Sequence, residues 1–109
     1  MDVAFSALPA EVALKVEAEF AREGIPVVSD ASSYRMEPDV PVLVAEVNPD
    51  HLGIVKLQSR RGWRGFIVTN PNCTTTVLVM ALKPLLDEFG IRRVFVSTMQ
   101  AVSGAGWSG

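Results

Sequence analysis

Short apolar runs alternate along this chain with longer stretches in which apolar residues recur at helical spacing. Residues 2–8 (DVAFSAL) predict a short buried strand ending in a turn, and Pro9 suits the first turn of a helix, where a missing N–H does no harm. Val12, Val16 and Phe20 recur at i, i+4, i+8, with Glu11, Lys15, Glu19 and Arg22 elsewhere around the helix, and Gly24 is a natural C-terminal stop. A second strand, Pro26–Ser29, follows almost at once. Strand, helix and strand joined this closely form a βαβ unit, which implies a parallel sheet.

The stretch from Asp30 to Asp50 is looser and holds Pro38, Pro41 and Pro49, with Val42–Val47 a candidate strand. Asn48-Pro49 has the chemistry of a cap followed by a first turn, which predicts a helix over Pro49–Ser59. Gly62 and Gly65 punctuate a turn before a core strand over Gly65–Thr69. Asn70-Pro71-Asn72-Cys73 then opens a helix that runs to Phe89 and is closed by Gly90. Its apolar residues (Val77, Leu78, Met80, Leu82, Leu85, Leu86, Phe89) lie nearly all round it, the pattern of a helix buried between layers, and Pro84 predicts a kink. A final strand is predicted over Arg92–Met99, running into the glycine-rich end SGAGWSG. The first strand begins without a lead-in and the last ends in a loop with nothing to pair against, so the chain reads as an excerpt of a larger protein, with helix 77–89 left partly uncovered.

Composition narrows the class. Of the 109 residues, 49% are hydrophobic and 20% charged, as in a chain that buries a core. A net charge of −2 offers no basic stripe to neutralise phosphates, which argues against nucleic-acid and acidic-lipid partners; Arg60, Arg61 and Arg64, and Arg92-Arg93, read as solvated surface. The single cysteine excludes an internal disulfide. The N-terminus lacks the basic and apolar regions of a secretory signal, and the longest apolar run, Val77–Leu82, is far below the ~20 residues of a membrane span. A cytoplasmic, soluble protein is expected.

Cys73 is the first candidate for chemistry. It stands where a strand ends and a helix begins, where unpaired N–H groups meet the positive end of the helix dipole. A thiol so placed can be drawn below its free pKa of ~8.5, and the same N–H groups can stabilise the oxyanion formed when a thiolate attacks a carbonyl. A free cysteine is more commonly a buried structural residue, and the strand–turn–helix context brings the two readings level. Gln100 closes the last strand; a neutral amide there can orient a substrate without protonating a thiolate, and a surface glutamine is the plainer reading. Arg35 lies in a loop past the C-terminal end of a parallel strand, the edge where α/β sheets bind ligands, and suits a phosphate or carboxylate, although a surface arginine is again the plainer reading. His51 lies in the first turn of a polar helix, reads as exposed and uninvolved, and has no partner spacing for a metal site. Gly104-x-Gly106-x-x-Gly109 matches the dinucleotide fingerprint formally, but Trp107 is bulky where backbone must approach a pyrophosphate, and the match reads as a coincidence of a glycine-rich loop.

Four strings together carry a resemblance: FSALPAEVA (5–13), SDASSYRMEPDVPVLVAEVNPDH (29–51), GFIVTNPNCTTTVLVMALKPL (65–85) and GIRRVFVSTMQAVSGAG (90–106). In order and spacing, including the 27 positions from Cys73 to Gln100, they resemble the aspartate-semialdehyde dehydrogenases, particularly the archaeal and fungal branch. The resemblance implies an α/β fold: residues 1–70 as the C-terminal part of a Rossmann-type nucleotide-binding domain, and residues 71–109 as the first helix and strand of an α+β catalytic and dimerisation domain. It implies NADP-dependent reductive dephosphorylation of aspartyl phosphate in lysine, threonine and methionine biosynthesis, by a homo-oligomer. By carry-over, Cys73 is the nucleophile that forms an acyl-thioester and Gln100 positions the substrate. Arg35 holds the substrate phosphate with Asn72 beside it, while Ser6, Ala7, Leu8, Ser103 and Gly104 border the cofactor. A thioester divides one difficult exchange into two easier steps.

Two departures from the family pattern stand out. The glycine-rich phosphate loop has no counterpart in this sequence, and neither has the family's acid/base histidine or its second substrate-binding arginine; His51 does not match that histidine. The isolated chain is therefore expected to be inactive. The alternatives are a relative such as N-acetyl-glutamyl-phosphate reductase or glyceraldehyde-3-phosphate dehydrogenase, or a non-catalytic remnant whose exposed sheet edges bind a partner.

Overall fold

The computed structural model describes residues 2–104. Its elements in chain order are β1 (Ala4–Ser6), α1 (Ala10–Arg22), β2 (Val27–Ser29), a 3₁₀ helix (Pro49–Arg61), β3 (Ile67–Thr69) and α2 (Cys73–Phe89). The three strands form one parallel sheet in the order β1-β2-β3, with Ala4 opposite Val27 and Val27 opposite Ile67. The βαβ unit, the parallel sheet and both α-helices are thus as the apolar pattern predicts.

The face that α1 buries is not the predicted one. Ala13, Glu17, Ala18 and Ala21 are buried, whereas Val12 is exposed and Val16 and Phe20 are half-covered. Alanine at the contact lets the helix approach the sheet closely, and the larger Val16 and Phe20 line a groove beside the open edge of β1. β1 is not buried as a whole: Phe5 points outward and is largely exposed, because the described residues place no layer over that side.

Residues 42–47 do not form a strand. Val42 alone makes a parallel bridge to Thr69, and the chain then turns. Asn48 is the cause: its Oδ1 accepts from Val44 N at 2.8 Å and its Nδ2 donates to Val42 O at 3.0 Å, which folds the segment back on itself. The predicted helix after Asn48 exists but is 3₁₀ over all 13 residues, unusually long for that geometry. Its one buried side chain, Gln58, completes the outer edge of β3 in place of a strand. Its Nε2 donates to Ile67 O at 2.7 Å and its Oε1 accepts from Ile67 N at 2.8 Å.

The core lies between α1 and the sheet and extends under the 34–40 loop, where Tyr34 meets Trp63 edge-on at 5.9 Å. Arg61 stacks over Trp63 at 5.1 Å and binds Asp39 through two hydrogen bonds and Glu37 through one, each of 2.6 Å. The guanidinium holds the Asp39 carboxyl below the ordinary carboxylate range, and burial pushes the Tyr34 phenol up.

The second part of the chain departs furthest from expectation. α2 has no buried residue, and it runs through Pro84 to the Gly90 cap. Residues 92–99 form no strand, because none of the described residues pairs with their backbone groups. No helix of the described residues is long and apolar enough to cross a membrane.

Candidate active site at the carboxyl edge of the sheet

All three parallel strands end at the same edge, at Ser6, Ser29 and Thr69, so the segments that continue from them converge there. The segment after β2 carries Asp30 and Arg35, and the segment after β3 carries Asn70, Asn72 and Cys73. An open cavity of about 950 Å³ forms between them, lined among others by Leu8, Arg35, Asn72, Cys73 and Gly104. A cation, an amide and a thiol meet in this cavity because parallel strands deliver their loops to one side.

Cys73 is the first residue of α2 and is exposed. Asn72 caps the helix, and its Oδ1 accepts from Thr74 N at 3.0 Å and from the Thr74 hydroxyl at 2.6 Å. The Cys73 thiol approaches the same oxygen at 3.9 Å. Gln100 reaches back over the helix start, where its Nε2 donates to Thr74 Oγ1 at 3.4 Å. The nucleophile candidate and the amide predicted to accompany it are therefore brought to the same helix end, with Thr74 as the link between Asn72 and Gln100.

Arg35 is fixed by two backbone carbonyls. Its Nε donates to Asn70 O at 2.7 Å and its Nη2 to Asp30 O at 2.6 Å. Beneath it, the buried Ser29 hydroxyl donates to Glu17 Oε1 at 2.5 Å and accepts from Ala31 N at 3.0 Å, which shapes the turn that leads to Arg35. Glu17, Ser29, Asp30 and Asn70 escaped the sequence reading as members of this cluster. Glu17 carries no signal at all, since a charged residue in mid-helix normally faces solvent. Asp30 and Asn70 had one, since each directly succeeds a strand on the ligand-binding edge.

Of the predicted cofactor residues, Leu8 and Gly104 line the large cavity. Ser6 and Ala7 border a smaller adjoining one, together with Asp30 and Asn70. The Ser6 hydroxyl is buried with no hydrogen-bond partner among the described residues, an arrangement that suits a bound polar group. Ser103 is exposed beside Gly104 and lines neither space. His51 is exposed, contacts Asn48 at 3.0 Å, and does not line the Cys73 cavity. Gly106, Trp107 and Gly109 of the glycine pattern lie outside the described residues.

Fold and site define an α/β protein with a parallel sheet and a cysteine-bearing cavity at its carboxyl edge. Residues 1–54 match the model of the semialdehyde dehydrogenase NAD binding domain, and residues 82–109 that of the semialdehyde dehydrogenase dimerisation domain. The chain belongs to the semialdehyde dehydrogenase family. It is 60% identical over its entire length to an aspartate-semialdehyde dehydrogenase of Methanothermobacter thermautotrophicus, of which it covers 31%. Among solved structures it resembles aspartate semialdehyde dehydrogenase II of Vibrio cholerae with a TM-score of 0.83 and 36% identity, covering 100% of this chain and 30% of that one. It also resembles the Candida albicans enzyme crystallised with NADP, with a TM-score of 0.71 and 43% identity over 83% of this chain and 27% of that one. The chain thus spans about a third of the length of the curated relatives it matches.

Proposed function

We propose that this chain is the cysteine-bearing segment of an NADP-dependent aspartate-semialdehyde dehydrogenase, which forms aspartate semialdehyde and phosphate from L-aspartyl 4-phosphate. The observation that carries this reading is the shared cavity of Arg35, Asn72 and Cys73 at the carboxyl edge of the sheet. The 60% identity to a dehydrogenase of that name supports the choice of substrate.

On this reading the Cys73 thiolate attacks the acyl-phosphate carbonyl; a carbon–sulfur bond forms, the carbon–oxygen bond to phosphate breaks, and phosphate leaves beside Arg35. The positive end of α2 faces the oxyanion that develops during the attack. Gln100, tied to Thr74, holds the substrate against the sulfur without supplying a proton to it. Ser6, Ala7, Leu8, Ser103 and Gly104 border the cofactor, and the partnerless Ser6 hydroxyl fits that assignment. Bound there, NADPH would supply the hydride needed to release the acyl group from Cys73 as aldehyde. Residues 1–70 then belong to the nucleotide-binding domain and 71–109 to the catalytic and dimerisation domain of a cytoplasmic homo-oligomer.

The isolated chain lacks an imidazole at its cavity, since His51 does not line it. General acid–base help is worth about 10²–10⁴-fold in rate, so the chain alone is expected to show no turnover. The test is phosphate-dependent NADP reduction by aspartate semialdehyde, measured for three proteins: this chain, the Methanothermobacter thermautotrophicus enzyme with its matching segment replaced by this chain, and that replacement carrying Cys73→Ala. The replacement is expected to turn over, and Cys73→Ala to lower kcat by more than about 10³-fold, as loss of a nucleophile does. Near-normal turnover with Cys73→Ala, or turnover by the chain alone, would overturn the reading.

A further inference from the structure

We propose that Asp30 and Asn70 act as a positioning pair that fixes Arg35 relative to Cys73, an inference that rests on Arg35 being the anion-binding partner of a nucleophilic Cys73. Asn70 makes three hydrogen bonds that join the two loops of the site. Its backbone N–H donates to Ser29 O at 2.8 Å, its Nδ2 donates to Asp30 Oδ1 at 2.8 Å, and its carbonyl accepts from Arg35 Nε at 2.7 Å. Asp30 answers with its own carbonyl, which accepts from Arg35 Nη2 at 2.6 Å. Arg35, Asp30 and Asn70 therefore close a triangle in which each member touches the other two.

The chain between Asn70 and the sulfur is short and stiff. Pro71 has a fixed φ, Asn72 is locked as the cap of α2, and Cys73 is the first helical residue. A displacement of Asn70 is thus carried to the sulfur, while the same residue grips the arginine. Arginine has five N–H donors in a planar fork, and two of them are used on the carbonyls. The remaining three are available to an anion in the cavity that Arg35 shares with Cys73. A free arginine side chain would have to be ordered when the anion arrives; this one is ordered beforehand, so its charge stands at a set place in the cavity it shares with the nucleophile.

The experiment compares alkylation of Cys73 in this chain by iodoacetate and by iodoacetamide at low salt. Both reagents react with the same thiolate, so the ratio of their rates cancels thiolate content and reports the local cation. Arg35→Ala is expected to lower the iodoacetate-to-iodoacetamide ratio by about twofold or more, the size of one unit charge at several ångströms in a wet site. Asn70→Ala, which leaves every charge and both carbonyls in place but removes the side-chain bond to Asp30, is expected to lower it in the same direction by a smaller factor. The exchange Asp30→Asn with Asn70→Asp, which keeps the net charge and rebuilds the bond with donor and acceptor reversed, is expected to restore the ratio. Far-UV circular dichroism confirms that each variant is folded, and Asn70→Ser replaces Asn70→Ala if the latter is not. An unchanged ratio in Arg35→Ala would overturn the anion-binding reading of Arg35 and the pair with it. A lowered ratio in Arg35→Ala with an unchanged ratio in Asn70→Ala would overturn the pair alone, as would an exchange variant that is folded and stays low.

Discussion

Residues 4–69 and residues 73–104 are both rich in apolar side chains, yet only the first region buries them. Ile67, Val27, Ala13 and Ala21 are 0% exposed, whereas Val77 is 72%, Phe89 83% and Met99 fully exposed. The first region contains both layers of its own core, a helix and the sheet it covers, and its outer edge is closed by Gln58 and by the 41–43 segment. The second contains a helix that is apolar nearly all round and has no buried residue. An apolar pattern states that a surface is to be covered, and it does not supply the cover. Exposed apolar area of this extent marks an interaction surface or an aggregation liability.

The comparison breaks most readily at Ile67. Ile67→Ala is expected to cost about 2–5 kcal/mol in urea unfolding, because removing a fully buried side chain of β3 from the core under α1 leaves a cavity; a cost below half of that range would show that the first region is loosely packed. Gly65→Ala comes next, at about 1–3 kcal/mol, the cost of overpacking. A methyl group there would lie 2.7 Å from Ile25 O, and that neighbour is backbone. Thermal unfolding of this variant at the wild-type midpoint would show that the turn before β3 can yield.

A smaller effect is expected at the Arg61 cluster. Asp39 has its pKa lowered in the folded state, chiefly by its hydrogen bond to Arg61. Its contribution is therefore present above the unfolded carboxylate range and lost as pH falls through the folded value. Asp39→Asn is expected to lower stability at pH 7 by about 1 kcal/mol, as for a charge-assisted pair with partial exposure. It is also expected to reduce the difference in urea midpoint between pH 7 and pH 3; an undiminished difference would remove Asp39 from the acid response. The smallest effect belongs to the second region. Leu86→Ala is expected to change stability by no more than about 0.5 kcal/mol, as for an exposed position, and a loss near that of Ile67→Ala would show that α2 is covered in solution.

Much was legible in the sequence, and the elements show why. Period and punctuation located α1, β2, β3 and α2, because helix spacing, Gly24, Gly90 and the Asn72 cap act within a few residues of chain. Cys73 at a helix start was legible for the same reason, and Arg35 could be placed past a strand's carboxyl end before its neighbours were known. Only the tertiary structure decided which face of α1 is buried, since Val12, Val16 and Phe20 promise more apolar area than Ala13, Ala18 and Ala21, and close approach of helix to sheet favours the smaller set. It decided that Val42–Val47 turns instead of pairing, because one side chain, Asn48, captures two backbone groups. It left 92–99 without a ladder, because a strand is completed by a neighbour and no residue of the run can supply one. The union of Asp30, Arg35 and Asn70 is of the same kind: hydrogen bonds across 35 to 40 positions of chain form only after a parallel sheet has brought its loops to one edge.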